Sequence, residues 1–204
     1  MRVNVLILII VNALFLQNVQ AKEAPTPAGL EYCTVCHGSQ LMGNVNIGAP
    51  RLTGLSTWYI ERQLLNFKSG KRGSHPEDTT GGEMMLMVGK LSNDEIAKIA
   101  AWVTKTESPK PKALIAGDIH LGEKKYQACT ACHGENGEGN KELGAPKLNG
   151  LNDWYLVTQL NHFRLGYRGT DKSDSYGQQM QAASSVVLSE EDAANLATYI
   201  YQLK

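Results

Sequence analysis

Apolar residues recur at helical spacing in two segments of the first half of the chain. In the first segment, Ser56 can cap a helix that ends at Gly70, and the apolar positions between them are Ile60, Leu64 and Phe67. The second segment follows the capping-box sequence 92–95 (Ser-Asn-Asp-Glu), and its apolar face carries Ile96, Ile99, Ala100 and Val103. The stretch 70–82, rich in Gly, Lys and Thr, predicts a loop between these two helices.

An uncharged, largely apolar run extends from Val3 to Leu16, after the single basic residue Arg2. The small residues of Val19-Gln20-Ala21 follow it, where a signal peptidase would cut. We therefore predict that residues 1–21 are a secretory signal peptide and that the protein is exported to a bacterial periplasm. The alternative is an uncleaved membrane anchor, although a run of about 14 residues is shorter than the roughly 20 that span a bilayer.

The rest of the chain is an internal repeat with an offset of 96 residues. The repeated segments include Gly-Ala-Pro at 48–50 and 144–146, Trp-Tyr at 58–59 and 154–155, and the single residues Gln63 and Gln159, Phe67 and Phe163, Arg72 and Arg168. The prolines and charged residues of 106–112 predict a semi-extended linker. We predict a first domain at 22–107, a linker at 108–113 and a second domain at 114–204.

The most informative repeated motif is Cys-x-x-Cys-His-Gly, which begins at Cys33 and again at Cys129. Cys-x-x-Cys-His attaches c-type haem: the two cysteines bind the porphyrin covalently and the histidine ligates the iron. The predicted attachment residues are Cys33, Cys36 and His37, then Cys129, Cys132 and His133. The alternatives are a zinc site, which fits poorly with adjacent Cys and His, and a CxxC disulfide, which leaves both histidines unexplained.

The charge composition bears on which class of partner the protein binds. The chain has 20 basic and 20 acidic side chains, and removal of the signal peptide leaves 19 basic against 20 acidic ones, a formal net charge of −1. This balance gives no reason to expect nucleic acid as a partner. The remaining 183 residues suit two small domains, each with a buried porphyrin at its apolar centre.

The register of the repeat also predicts the second axial ligand of each iron. Met180 is the only methionine of the second half and lies 47 residues after His133, as Met84 lies 47 residues after His37. A methionine thioether raises the redox potential, which suits an electron carrier. Met85 is the alternative to Met84 in the first half. A histidine ligand, His75 or His162, is disfavoured because neither recurs in the other half.

Weaker expectations concern the groups around each haem. The carbonyls of Pro50 and Pro146 stand where they could accept the Nδ1 hydrogen of the ligating histidine. Four side chains could satisfy the haem propionates by N–H donation and charge: Trp58, Trp154, Arg72 and Arg168. His75, His120 and His162 are expected at the surface.

Taken with GAPxLxGL, QLxxFxxGxR and a final helix that opens with LSxxE or LSxED, these motifs resemble the dihaem cytochromes of the cytochrome c4 family, over nearly the whole mature chain. The resemblance implies an all-α fold of two tandem cytochrome c domains. It also implies His37 with Met84, and His133 with Met180, on opposite sides of two covalent haems, whose propionates point toward the domain interface. One departure is that Pro25-Thr26-Pro27 stands where the second half has an N-terminal helix, so the first such helix must be short.

The function that follows is a periplasmic electron carrier of a respiratory chain, and not an enzyme. We expect a quinol-oxidising complex or a dehydrogenase as donor and a terminal oxidase as acceptor. Peripheral contact with the membrane is compatible with this reading, and no small-molecule substrate is expected. One alternative is the cytochrome subunit of a dehydrogenase complex. Another is a dihaem enzyme of the peroxidase or thiosulfate-oxidising type, which needs an open or thiolate-ligated iron, and here no cysteine remains for that role.

Overall fold

The computed structural model describes residues 26–27 and 29–204, and the predicted signal peptide lies outside them. The described part of the chain folds into the helices α1 Glu31–His37, α2 Thr57–Lys68, α3 Thr79–Val88, α4 Asn93–Lys105, α5 Ile119–Tyr126, α6 Thr130–His133, α7 Asp153–Arg164, α8 Ser175–Ala183 and α9 Glu190–Gln202. Short 3₁₀ turns lie at Val45–Ile47 and Ser184–Val186. Within these residues the only β-type pairings are two isolated bridges, one in each half. The all-helical expectation is confirmed.

In the first half, α2 packs against both α3 and α4. The predicted capping box opens α4, because the Ser92 hydroxyl accepts from the Glu95 N–H and the Glu95 carboxylate accepts from the Ser92 N–H. Ser56 does precede α2, but its side chain makes no capping hydrogen bond. Residues 79–82 are helical and not part of a loop, because Asp78 caps α3 by accepting from the Gly81 N–H at 2.9 Å.

In the second half, α9 packs against both α5 and α7. Gly122 makes the α5–α9 crossing close: a Cβ at this position would stand 2.1 Å from the Asn195 backbone oxygen. The first half has no helix matching α5 within the described residues that precede α1, namely 26, 27, 29 and 30. The short N-terminal helix expected from the sequence therefore corresponds to α1 alone, which contains the Cys-x-x-Cys-His motif itself.

The connection between the halves, residues 106–118, contains no helix or strand, and both halves bind it. The Arg51 guanidinium of the first half donates to the Ser108 oxygen at 3.0 Å and also to the Pro109 oxygen. From the second half, Asp153 accepts from the Leu114 and Ile115 N–H groups at 2.6 and 2.8 Å. Because both halves hold the connection, we expect it to act as a strap and not as a flexible tether.

No helix within the described ranges combines the length and the apolar character that a membrane crossing requires.

Candidate functional site

A large cleft opens in each half, and the two clefts have matching walls. Their volumes are about 1310 Å³ in the first half and 1350 Å³ in the second, with the open mouths included. The first is lined by Cys33, Cys36, His37 and Met84, and the second by Cys129, Cys132, His133 and Met180. The structure thus brings the predicted attachment and ligand residues of each half around a single cleft.

The two histidines are buried and held in the same way. His37 Nδ1 lies 2.7 Å from the Pro50 oxygen, and His133 Nδ1 lies 2.8 Å from the Pro146 oxygen. A carbonyl oxygen can only accept, so Nδ1 carries the hydrogen and Nε2 keeps its lone pair. Burial lowers the pKa of both imidazoles, and the proline carbonyls oppose this shift only in part. The neutral tautomer suited to metal ligation is therefore the favoured one.

The four thiols divide into an inner and an outer pair. Cys33 and Cys129 are partly buried, whereas Cys36 and Cys132 are exposed, and none of the four is in a disulfide. Burial, followed by the nearby Cys132, raises the pKa of the Cys129 thiol to about 11, and burial likewise raises the pKa of Cys33. One cysteine of each motif is therefore partly enclosed by the cleft, and the other lies at its exposed edge.

The three methionines of α3 differ in what their side chains contact. Met84 lines the first cleft, whereas Met85 turns toward the loop glycines, with its Cγ 3.0 Å from where a Gly73 Cβ would lie. Met87 also borders the first cleft but is 44 % exposed. Its counterpart at the 96-residue offset, Ala183, borders the second cleft and has no sulfur. Geometry and repeat together favour Met84 as the counterpart of Met180.

The two clefts share a wall, which is built from a symmetrical hydrogen-bond network. Arg72 donates to Gln63 in its own half and to Tyr155 and Gln159 in the other, at 2.7–3.0 Å. Arg168, its counterpart, donates to the Gln159 of its own half at 2.6 Å. Across the interface it donates to Gln63 at 2.7 Å and to Tyr59 at 3.3 Å. Both tyrosines and both glutamines line both clefts. We refer to these six residues as the shared wall.

The two tryptophans expected to serve the haem do not line either cleft. Trp58 and Trp154 are absent from the linings of both clefts; each packs edge-on against the tyrosine that follows it. The indole in the first cleft is Trp102. Sequence reasoning missed it because the repeat offset is 97 in the last helix, where Leu91-Ser92 matches Leu188-Ser189, and this offset places Tyr199 at the matching position. The tyrosines and glutamines of the shared wall recur in both halves, and this recurrence could have indicated them. Arg62 lines the second cleft, but its counterpart in the repeat is Thr158, so the repeat gave no indication of its role.

Unpartnered N–H donors show that these clefts fit an anionic group. Arg72 Nε and Trp102 Nε1 in the first cleft, and Arg62 Nε in the second, are buried and have no hydrogen-bond partner among residues 26–27 and 29–204. Buried donors of this kind carry a free-energy penalty unless an acceptor faces them. The propionates of a porphyrin are such acceptors, and the remaining lining is mainly apolar, as the ring requires.

A second set of contacts joins the halves beside the shared wall. Asn66 donates to the Asp174 carboxylate at 3.3 Å, and at the counterpart position His162 Nδ1 lies 3.5 Å from Asp78. His162 is thus partly buried between the halves, not at the surface as expected. Burial lowers its pKa; Asp78 opposes the shift, whereas Arg72, Arg168 and His75 add to it. His75 stacks on Tyr167 and is also partly covered, and only His120 is exposed.

Comparison with known proteins decides the family. The cytochrome c family model matches the chain twice, at residues 26–107 and 119–204. The chain is 32% identical to cytochrome c4 of Azotobacter vinelandii over 184 residues, which is 84% of each chain. The chain belongs to the cytochrome c family, in its dihaem cytochrome c4 branch.

Two further relatives of this cytochrome carry additional information. A protein of Stutzerimonas stutzeri strain A1501 called thiosulfate dehydrogenase electron acceptor is 32% identical over 181 residues, 82% of this chain and 79% of that one. The crystal structure of reduced recombinant cytochrome c4 from Pseudomonas stutzeri superposes with a TM-score of 0.66 at 28% identity, covering 86% of this chain and 95% of that one. The cytochrome carries two covalent haem c groups, one for each Cys-x-x-Cys-His motif.

Proposed function

We propose that this cytochrome is an exported, periplasmic electron carrier in which both irons have histidine and methionine as axial ligands. His37 with Met84, and His133 with Met180, would hold the irons, while the four cysteines anchor the porphyrins. Haem iron supplies reversible one-electron chemistry, and methionine ligation favours the ferrous state. With both axial positions taken by the protein, no position remains for a substrate.

The shared wall is the observation that carries this proposal. The same tyrosines and glutamines line both clefts, so haems held in the two clefts would lie on either side of this layer of side chains. The two buried guanidinium groups of that layer offset the negative charge of the propionates. Such an arrangement suits rapid electron exchange between the two haems.

The proposed partners are redox proteins: a quinol-oxidising complex or a dehydrogenase as donor and a terminal oxidase as acceptor. The relative called thiosulfate dehydrogenase electron acceptor favours a more specific second candidate, in which this chain takes electrons directly from a dehydrogenase with which it associates. Co-purification of the chain with a catalytic dehydrogenase subunit, together with reduction by that subunit's substrate, would favour the second candidate over a free carrier.

The experiment that tests the carrier function is a combined haem count and ligand assay. A pyridine haemochrome measurement on acetone-extracted protein should give two haems per chain, and Cys129→Ala with Cys132→Ala should reduce the ratio to one. The ferric spectrum should show a methionine–iron charge-transfer band of two-haem intensity. The ferrous protein should not bind carbon monoxide. Ready binding of carbon monoxide by the unmodified protein would refute the carrier function and favour a dihaem enzyme.

A further inference from the structure

One peptide group links the first iron ligand to the second half of the protein. The carbonyl of the Pro50–Arg51 peptide accepts from His37 Nδ1 at 2.7 Å, and the N–H of the same peptide donates to the side-chain oxygen of Asn152 at 2.7 Å. Since a backbone N–H can only donate, the amide oxygen of Asn152 must be the atom that faces it. His37, the peptide and Asn152 therefore form one chain of hydrogen bonds.

The second half has no equivalent of this chain. His133 donates to the Pro146 carbonyl as His37 does to that of Pro50, but the N–H of the following residue, Lys147, has no acceptor among the described residues. The counterpart of Asn152 at the 96-residue offset is Ser56, whose side chain makes no hydrogen bond within the same part of the chain. This chain of hydrogen bonds, which we call the relay, is therefore a property of the first iron ligand alone.

The side chain of Asn152 bonds to the Arg51 N–H and not to its own helix. Asparagine is among the best helix-capping residues, and Asn152 occupies the N-cap position of α7, yet its side chain does not cap that helix. It is 8% exposed and bonds across the interface instead. On the other side, the Arg51 side chain is fixed by the Thr53, Ser108 and Pro109 carbonyls, which holds the peptide in place.

We propose that Asn152 is a positioning residue that polarises the Pro50–Arg51 peptide and thereby tunes the first haem from the second half. The inference rests on the proposed ligation by His37. A peptide that donates at one end accepts more strongly at the other, because hydrogen bonds in a chain polarise one another. A stronger acceptor at Nδ1 makes the imidazole a more basic ligand, which stabilises ferric iron and lowers the potential. The first haem thus receives a contribution that the second lacks.

The test is an NMR-monitored redox titration of the full holoprotein, which follows each haem separately. Asn152→Leu keeps the size of the side chain but removes the acceptor. It should raise the first potential and leave the second in place, shifting the electron-exchange equilibrium between the haems roughly two- to fivefold, or about 20–40 mV at 59 mV per tenfold change. Asn152→Asp keeps an acceptor oxygen and should return the potential to the wild-type value or below. Ser56→Ala is the matched control and should move neither potential.

The Arg51 amide provides a readout that is independent of redox behaviour. Its proton resonance should shift upfield, and its hydrogen exchange should quicken, in Asn152→Leu but not in Ser56→Ala. If the Leu variant does not take up both haems, Asn152→Ser withdraws the oxygen with a smaller change and is judged by the same criteria. Loss of the hydrogen bond from the Arg51 N–H with both potentials unchanged, or with both shifted equally, would overturn the proposed role of Asn152 alone. Absence of histidine–methionine ligation in the wild-type first half would instead overturn the proposed site.

Discussion

Replacing Gly122 by Ala is a direct test of the helix crossing that supports the second cleft. The new Cβ would lie 2.1 Å from the Asn195 oxygen and 2.9 Å from the Tyr199 Cβ, both on α9. An ordinary carbon–oxygen contact is about 3.3 Å, so α5 and α9 must separate by about 1.2 Å. Two other residues of α9, Leu196 and Ile200, line the second cleft. The strain therefore reaches the wall of the cofactor site.

The expected loss of stability follows from two opposing effects. Overpacking destabilises by about 1–3 kcal/mol, and a clash with a backbone oxygen belongs to the upper part of that range, about 2–3 kcal/mol. Gly to Ala in a helix restores about 1 kcal/mol. The net loss of about 1–2 kcal/mol corresponds to a fall in melting temperature of roughly 4–16 °C for a domain of this size. Calorimetry of the holoprotein, with the methionine–iron band followed in parallel, measures both the unfolding and the integrity of the second site.

Gly82→Ala is the matched control. Gly82 is also a helical glycine, but the nearest atom to an added Cβ is 3.7 Å away, an ordinary contact. This variant should melt at or slightly above the wild-type temperature. If Gly122→Ala melted with the wild type while Gly82→Ala behaved as expected, the α5–α9 crossing could not be as close as the structure has it.

Three further predictions concern the sixth ligand of the first iron and the effect of two buried side chains on stability. Met84→Leu should halve the methionine–iron band and let carbon monoxide bind one iron, whereas Met85→Leu should leave the spectrum unchanged; the reverse result would exchange their roles. Because burial lowers the pKa of His162, the unfolded chain takes up a proton first as pH falls through about 6.5, so stability should decline from pH 7 to 5. His162→Asn should weaken that dependence in urea titrations and His120→Asn should not; equal slopes would exclude His162. Tyr126→Phe removes the hydrogen bond that its buried hydroxyl donates to the Gly134 carbonyl at 2.8 Å, and leaves that carbonyl with only the longer contact from the Gly137 N–H at 3.4 Å. This change should reduce the free energy of unfolding by about 0.5–1.5 kcal/mol; an unchanged denaturation midpoint would contradict this.

The all-helical fold and the two haem-attachment motifs could be predicted from the sequence, because each depends on local spacing that occurs twice. The Cys-x-x-Cys-His motif fixes three groups within five residues, and the repeat fixes the methionine register. The start of α3 was misjudged because the glycines at 81 and 82 suggested a loop, whereas the decisive interaction is the cap from Asp78. Propensity alone does not account for such a cap.

The groups around the haem were harder to predict because their roles depend on the other half of the molecule. Arg72 and Arg168 each line a cleft, but their hydrogen-bond partners in the other half lie 83–109 residues away in sequence. Trp58 and Trp154 recur in both halves, which made them plausible donors, yet recurrence does not distinguish a residue that faces a cleft from one that packs behind it. Trp102 and Asn152 have no counterpart of the same residue type in the other half, and only the three-dimensional structure reveals what they contact.

The shared wall also bears on how such a protein can arise and be taken apart. A single ancestral half would have lacked the acceptors that each buried arginine now finds across the interface, so Arg72 and Arg168 fit a molecule that had already become double. Either half expressed alone would expose that guanidinium to solvent and open the back of its cleft. Fragments of this cytochrome should therefore be poor surrogates for the parent, and recombining halves between relatives should succeed only when the four tyrosine and glutamine positions are exchanged together with the arginines.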